Sequence, residues 1–189
     1  MKIIVACEYS GVVGEAFASL GHEVLSCDLL PGDNIINRKH YQGSIYDIDL
    51  SSFDMLIGFP PCTYLCKAQY HLYNKDGQRE QEREAAIKFF NYLWQAHVDK
   101  IALENPIGYL ANHYRQPDQI TRAWHFGEPY SKDICLWLKN LPPLISTHYN
   151  TIRKPIGNHT NGRMTQQEKS KIKSKFFKGV ADAMATQWG

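Results

Sequence analysis

Cys62 and Glu104 stand where side chains of their types can do chemistry. Cys62 follows the dipeptide Pro60-Pro61, which comes after an apolar run, Met55-Leu56-Ile57, that stops at Gly58. Proline cannot pair in a central ladder, so a strand ends there, and two fixed φ angles stiffen the loop that carries the thiol. Glu104 follows a second short run, Lys100 to Leu103, and precedes Asn105-Pro106. In open parallel sheets ligands bind beyond the carboxyl ends of the strands. A thiol in such a place is a nucleophile once ionised, and a carboxyl group there can act as an acid, a base or a hydrogen-bond partner for a heterocycle.

Positioning these groups requires a sheet. Lys2 to Cys7 is a short Ile/Val-rich run and predicts a buried strand. Glu8-Tyr9-Ser10-Gly11 is the turn after it, and Val12 to Leu20 has helical spacing, with Val12, Val13, Ala16, Phe17 and Leu20 on one face. Gly21 ends that helix, and His22 to Cys27 predicts a second strand that finishes in Asp28. This β-turn-α-β-acid order suits a cofactor carrying an adenosine. Gly11 lets backbone approach the ligand, the helix N-terminus offers N–H groups, and an acid about twenty residues on accepts ribose hydroxyls. Ser10-Gly11-Val12-Val13-Gly14 is not the G-x-G-x-x-G of dinucleotide enzymes, which disfavours NAD.

A third strand is expected within His40 to Asp49. Asp47 then lies either within reach of an adenine amino group or in a plain turn. Asp54 to Phe59 and Lys100 to Leu103 are the fourth and fifth strands. Gln78 to His97 is the longest helix, with Ala85, Ala86, Phe89, Phe90, Leu93 and Trp94 as its core stripe. Cys66 to Gly77, with Tyr70, His71 and Tyr73, reads as a loop, and Cys135 to Leu138 as a further strand. Thr147 to Gly162 is polar and Gly/Asn-rich, hence a loop. Thr165-x-x-Glu168 is a capping box opening a helix that Gly179 interrupts, and Val180 to Trp188 closes the chain. The expected fold class is α/β, a doubly wound, mostly parallel Rossmann-like sheet. Residues 1–189 form one domain: a core over 1–145, a loop over 146–162 and closing helices over 163–189.

Composition sets bounds on function. At 189 residues, 43% hydrophobic and 21% charged, the chain has the make-up of one ordinary globular domain. No apolar run approaches the ~20 residues of a membrane helix. The N-terminus has neither the apolar region nor the cleavage site of a signal peptide, so the expected compartment is a cytoplasm. Five scattered cysteines point to reduced thiols, and Cys62-x-x-x-Cys66 has no second Cys/His pair at zinc spacing, so no metal is expected. Net charge is +2 but uneven: residues 151–189 carry eight Lys/Arg against two acids, and residues 1–150 carry 13 against 17. A basic end on a mildly acidic body suits either phosphate groups or a solvated helix face.

With Pro60-Pro61-Cys62 and Glu104-Asn105-Pro106 on successive strand ends behind a cofactor half-site, the chain resembles the C5-cytosine-specific DNA methyltransferases. The likeness is to the short kind described in bacteriophage genomes, and it covers nearly the whole chain. The family's Pro-Cys nucleophile motif falls on Pro61-Cys62. Its Glu-Asn-Val motif falls on Glu104-Asn105, with Pro106 in place of Val. Its cofactor loop falls on Cys7 to Gly14, without the family's Phe-x-Gly-x-Gly, and its acid after strand two falls on Asp28. Arg163-Met164-Thr165-Gln166-Gln167-Glu168 echoes a late Arg-x-Leu-Thr-x-x-Glu pattern, and Gly179 to Ala185 falls on the last cofactor-side helix. Where the family has an arginine pair, this chain has only Lys132. Where the family has a large target-recognition region, it has only about Ser146 to Gly162.

The resemblance implies a Rossmann-like sheet of the S-adenosyl-L-methionine-dependent methyltransferase type, in a bacterial or phage-infected cytoplasm. It implies methyl transfer from that cofactor to C5 of cytosine in DNA, through a Cys62 adduct at C6. Glu104 would hold the ring N3 and amine, and Lys132 would meet a phosphate or the base carbonyl. Cys7, Glu8, Tyr9, Ser10, Gly11, Asp28, Asp47 and Pro60 are the expected cofactor contacts, and Pro61, Asn105 and Pro106 the expected substrate contacts. Two other functions stay open on the sequence. One is methylation of a cytosine nucleotide or RNA, for want of a recognition region. The other is a non-catalytic methyltransferase fold that binds a nucleotide or a partner and counters a host defence. A separate protein supplying target recognition is a further expectation.

Overall fold

Strand β1, Lys2–Ala6, runs through the middle of a seven-stranded sheet ordered β3-β2-β1-β4-β5-β7-β6. The computed structural model describes residues 1–66, 77–154 and 175–189. β1 is apolar without alternation because both of its faces are covered. Ile3 and Val5 join one core cluster, while Ile4 and Ala6 join the other, all of them fully buried. A two-sided strand reads as a continuous apolar run rather than an alternating one. Each buried Ile or Val is worth roughly 1.5–3 kcal/mol of removed apolar surface.

β2 (Glu23–Asp28), β3 (Lys39–Gln42), β4 (Met55–Gly58) and β5 (Lys100–Asn105) pair in parallel around β1. β7 (Asp133–Lys139) is antiparallel to β5, and β6 (Gln119–Arg122) is antiparallel to β7, so β7 alone is reversed. Helices cover both faces. α1 (Val12–Ala18) and α4 (Lys178–Trp188) pack on one through Val13, Phe17, Val180 and Met184. α2 (Gly77–Trp94) and α3 (Tyr109–His113) pack on the other through Phe90, Leu93 and Leu110. The chain is thus a mixed α/β fold around a mostly parallel sheet. The strand order reverses between β1 and β4, which opens a crevice at their carboxyl ends, the usual ligand position in such sheets.

Several boundaries differ from those expected. β5 runs two residues further, because Glu104 and Asn105 still pair with Leu136 and Cys135 of the reversed strand β7. β6 was not expected at all. It is an edge strand in which only Thr121 is buried and Ile120 is half exposed, so its sequence carries no apolar alternation. The third strand is short, and Ile45–Asp47 forms a 3₁₀ turn capped by Ser44. Ala85 of the expected α2 stripe is exposed. Gly179 lies in the first turn of α4 rather than interrupting a helix, and a Cβ there would overlap the Phe126 carbonyl oxygen. The capping box at Thr165, the 163–168 motif, and Tyr70, His71 and Tyr73 lie outside the described residues. No helix among the described residues is long and apolar enough to cross a membrane.

Candidate active site

The loop bearing Cys62 is built by local hydrogen bonds and then fastened to β5. Phe59 N–H makes the last sheet-like bond, to the Ala6 carbonyl at 3.0 Å, before the two prolines remove further donors. The Cys62 carbonyl accepts from Leu65 N (2.9 Å) and Cys66 N (3.0 Å), closing a tight turn. Asn105, 1% exposed, donates its Nδ2 to the Pro60 carbonyl at 2.8 Å. Further on, Tyr109 N donates to the Leu65 carbonyl at 2.7 Å, and Cys66 bridges to Gly108. A Cβ on Gly108 would overlap the Leu65 carbonyl oxygen, so only glycine allows the loops this close. The strand end that carries Glu104 therefore also holds the Cys62 loop in place.

Cys62 and Glu104 line one cavity of about 370 Å³, together with Cys7, Glu8, Tyr9, Ser10, Asp28, Pro60, Pro61 and Lys132. Glu104 is 9% exposed, and its Oε1 has no hydrogen-bond partner; the Lys132 Nζ lies 3.6 Å from it. Lys132 also sits 5.7 Å from the Phe177 ring centre. An under-satisfied buried carboxylate oxygen costs about 1–3 kcal/mol or more, so a ligand donor at this point would be strongly favoured. Cys62 is open to solvent at the cavity mouth. Even so, the surrounding protein withholds water from its thiol and raises its pKa; the Glu104 charge and Cys66 add to the rise, while Lys132 and a backbone N–H oppose it. Cys7, the other thiol lining the cavity, is pushed up to about 12 by burial, Asp28 and Cys27, which leaves it protonated and inert.

The cavity adjoins an apolar slot of about 280 Å³, and the two share Cys7, Asp28 and Pro61. Leu29, Ile45, Tyr46 and Phe89 wall the slot. Asp28 stands at the junction, its Oδ1 accepting from Leu30 N at 2.9 Å. An apolar slot with a carboxylate at its mouth fits the base and ribose of a nucleoside.

Several expected contacts lie elsewhere. Gly11 (φ 76) is outside the cavity, because the Arg38 guanidinium fills the space over it and over Gly14. The N–H groups of α1 do not face a ligand either. Val13 N and Gly14 N donate to the Glu8 carboxylate at 2.6 and 3.0 Å, so Glu8 caps a helix. Burial raises the Glu8 pKa, and these two bonds together with the Arg38 charge oppose the rise. Asp47 is not part of the slot wall and accepts from the Tyr41 hydroxyl at 3.3 Å; its neighbours Ser44, Ile45 and Tyr46 line the slot instead. Asn105 and Pro106 are absent from the cavity wall, since Asn105 is spent on Pro60.

Wall residues that the sequence does not place at the site include Leu29, Ser44, Ile45, Tyr46, Phe89 and Phe176, while Lys175 counts there only as part of the basic end. Phe176 packs its ring 4.8 Å from that of Phe59, and Lys175 pairs with Asp33 at 3.5 Å, which brings the chain's last segment over the crevice. Phe89 belongs to the expected core stripe of α2, and the others carry no motif. The one available signal was the Phe-Phe pair before α4. Neither the protein-family models nor the curated proteins provide a match to this chain.

Proposed function

We propose that the protein is a methyltransferase that uses S-adenosyl-L-methionine to methylate C5 of cytosine in DNA, with Cys62 as the nucleophile. The observation that carries this reading is the sharing of one open cavity by Cys62, Glu104 and Lys132, which adjoins at Asp28 an apolar slot walled by Ile45, Tyr46 and Phe89. The finer fold assignment, a Rossmann-like sheet of the methyltransferase type, goes with it. Asp28 would hold the cofactor's ribose, and Ile45, Tyr46 and Phe89 its adenine; when bound, the cofactor supplies the methyl group.

The protein's own groups do the rest. The Cys62 thiolate adds to C6 of the ring, and the electron pair of the C5–C6 double bond makes C5 nucleophilic. Glu104 would hold N3 and the exocyclic amine, and its unpartnered oxygen can relay to N3 the proton that the Cys62 thiol gives up. Lys132 balances the charge of Glu104 and of the adduct. Solvent reaching the open cavity would take the C5 proton, the C6–S bond would break with its electron pair leaving on the Cys62 thiolate, and N3 would return its proton to Glu104, which restores the C5–C6 double bond. Because the Cys62 pKa is raised in the free protein, ionisation depends on base binding, which gives the thiol proton an acceptor at N3 by way of Glu104. A base in a duplex must first leave its stack, at a cost of a few kcal/mol.

The test is transfer of labelled methyl groups to DNA cytosine by the purified chain and by Cys62→Ala. Gly108→Ala is a second, geometric test. It wedges a methyl group between the Cys62 loop and the Glu104 strand. Misplacement by about 1 Å costs as much as 10²-fold, so kcat should fall toward that extent while cofactor affinity is kept. A kcat equal to wild type would contradict the role given to the pinned loops.

A further inference from the structure

A second cleft opens at the same carboxyl edge of the sheet, beside β6, lined by Arg122, Trp124, Ser131, Asp133 and Arg153. Lys132 of the cavity lies between two of these residues in sequence, and β6 stands two strand spacings, about 10 Å, from the Glu104 strand. The Arg153 guanidinium lies 3.9 Å from the Trp124 ring centre. The Tyr149 ring is 5.7 Å from that of Trp124 and 61% exposed. Arg122 is fixed by Asp133 at 3.0 Å.

The cleft is rigid. Residues 147–154 run beside 124–131, with Thr147 N and His148 N donating to His125 O, Asn150 N to Trp124 O, Lys154 N to Pro129 O and Ser131 N to Lys154 O. Asn150 Nδ2 adds a bond to Gly127 O at 2.8 Å. The arginines make the place electropositive: after burial, Arg122 and Arg153 are what lower the pKa of His125.

We infer that this cleft takes a single polynucleotide strand next to the base held in the cavity, with Arg153 and Arg122 on phosphate and Tyr149 and Trp124 against a neighbouring base. Its orientation rests on the reading of the Cys62 cavity as a cytosine site. Exposed aromatic rings interleaved with arginine are how single strands are gripped without sequence readout. The cleft thus gives a polymer substrate a foothold where a recognition region is short.

Fluorescence anisotropy of the full chain with a labelled 12-nucleotide DNA strand, the same sequence as RNA, and dCMP as competitor tests the cleft. Tyr149→Ala and Arg153→Glu are both exposed positions. Each should weaken strand binding about tenfold or more, and Arg153→Glu should also lower the salt slope by about one, with dCMP competition unchanged. The DNA and RNA arms show which sugar the cleft prefers. Strand binding unaffected by both variants, or no tighter than dCMP binding, overturns the inference. Strand binding that depends on both residues, in a protein without methyl transfer, upholds the cleft and removes the cytosine reading instead.

Discussion

Glu104→Gln is expected to move Cys62 in two opposite directions. Methyl transfer should fall by about 10²–10⁴-fold, because a neutral amide cannot deliver a proton to the ring. Alkylation of Cys62 by iodoacetamide should become faster, because the Glu104 charge is one of the causes that raise the thiol pKa. The sign is fixed by the chemistry: only the thiolate reacts, and removing a neighbouring negative charge favours it. In the wild-type protein the alkylation rate should climb with pH to a midpoint above the ordinary thiol value of 9.0. Glu104→Gln should shift that midpoint down. Lys132→Met should shift it up, since Lys132 opposes the rise. Peptide mass spectrometry assigns the label to Cys62 rather than Cys7. A Glu104→Gln protein that loses alkylation and methyl transfer together would show a collapsed cavity, not a missing acid.

Arg38→Met should cause a large loss of stability. Arg38 is 3% exposed, with its guanidinium over the Gly11–Gly14 loop. Its Nη1 donates to Ser26 Oγ at 2.8 Å and its Nη2 to the Asp33 carbonyl at 2.6 Å, while Nε lies 3.7 Å from Glu15. Its charge also offsets that of buried Glu8. Removing one partner of a buried charge cluster leaves the other uncompensated and costs about 3–5 kcal/mol. For a domain of this size that lowers Tm by roughly 6–20 °C at ~2–4 °C per kcal/mol. Lysine lacks the planar fork, so Arg38→Lys should recover only part of the loss. A Tm within ~2 °C of wild type would show that the cluster contributes little.

Arg38 also marks the limit of what the sequence reveals. The β-turn-α-β-acid order, the strand ends at Gly58 and near Glu104, and the cavity between them follow from apolar runs and prolines, which are local signals. Arg38 sits in a polar loop whose composition says only that it turns; its burial depends on Glu8, Glu15 and Ser26 arriving from three other segments. The glycine loop was legible as a close approach, but what approaches is this side chain. Asn105 fared similarly. Its place beside Glu104 suggested a substrate contact, whereas its bond to Pro60 is set by the register of β4 and β5. Edge strand β6 and the 147–154 segment lack apolar periodicity, and long-range backbone pairing with a few polar and ring contacts places them.

The most direct measurement is a labelled-methyl assay in which the wild-type chain and Cys62→Ala meet the same DNA and S-adenosyl-L-methionine, with the product base identified after digestion. The account predicts label on C5 of cytosine with the wild type and a loss of roughly four orders of magnitude or more with Cys62→Ala, as for removal of a catalytic nucleophile. Label on another atom or base, or transfer that survives the substitution, would contradict it.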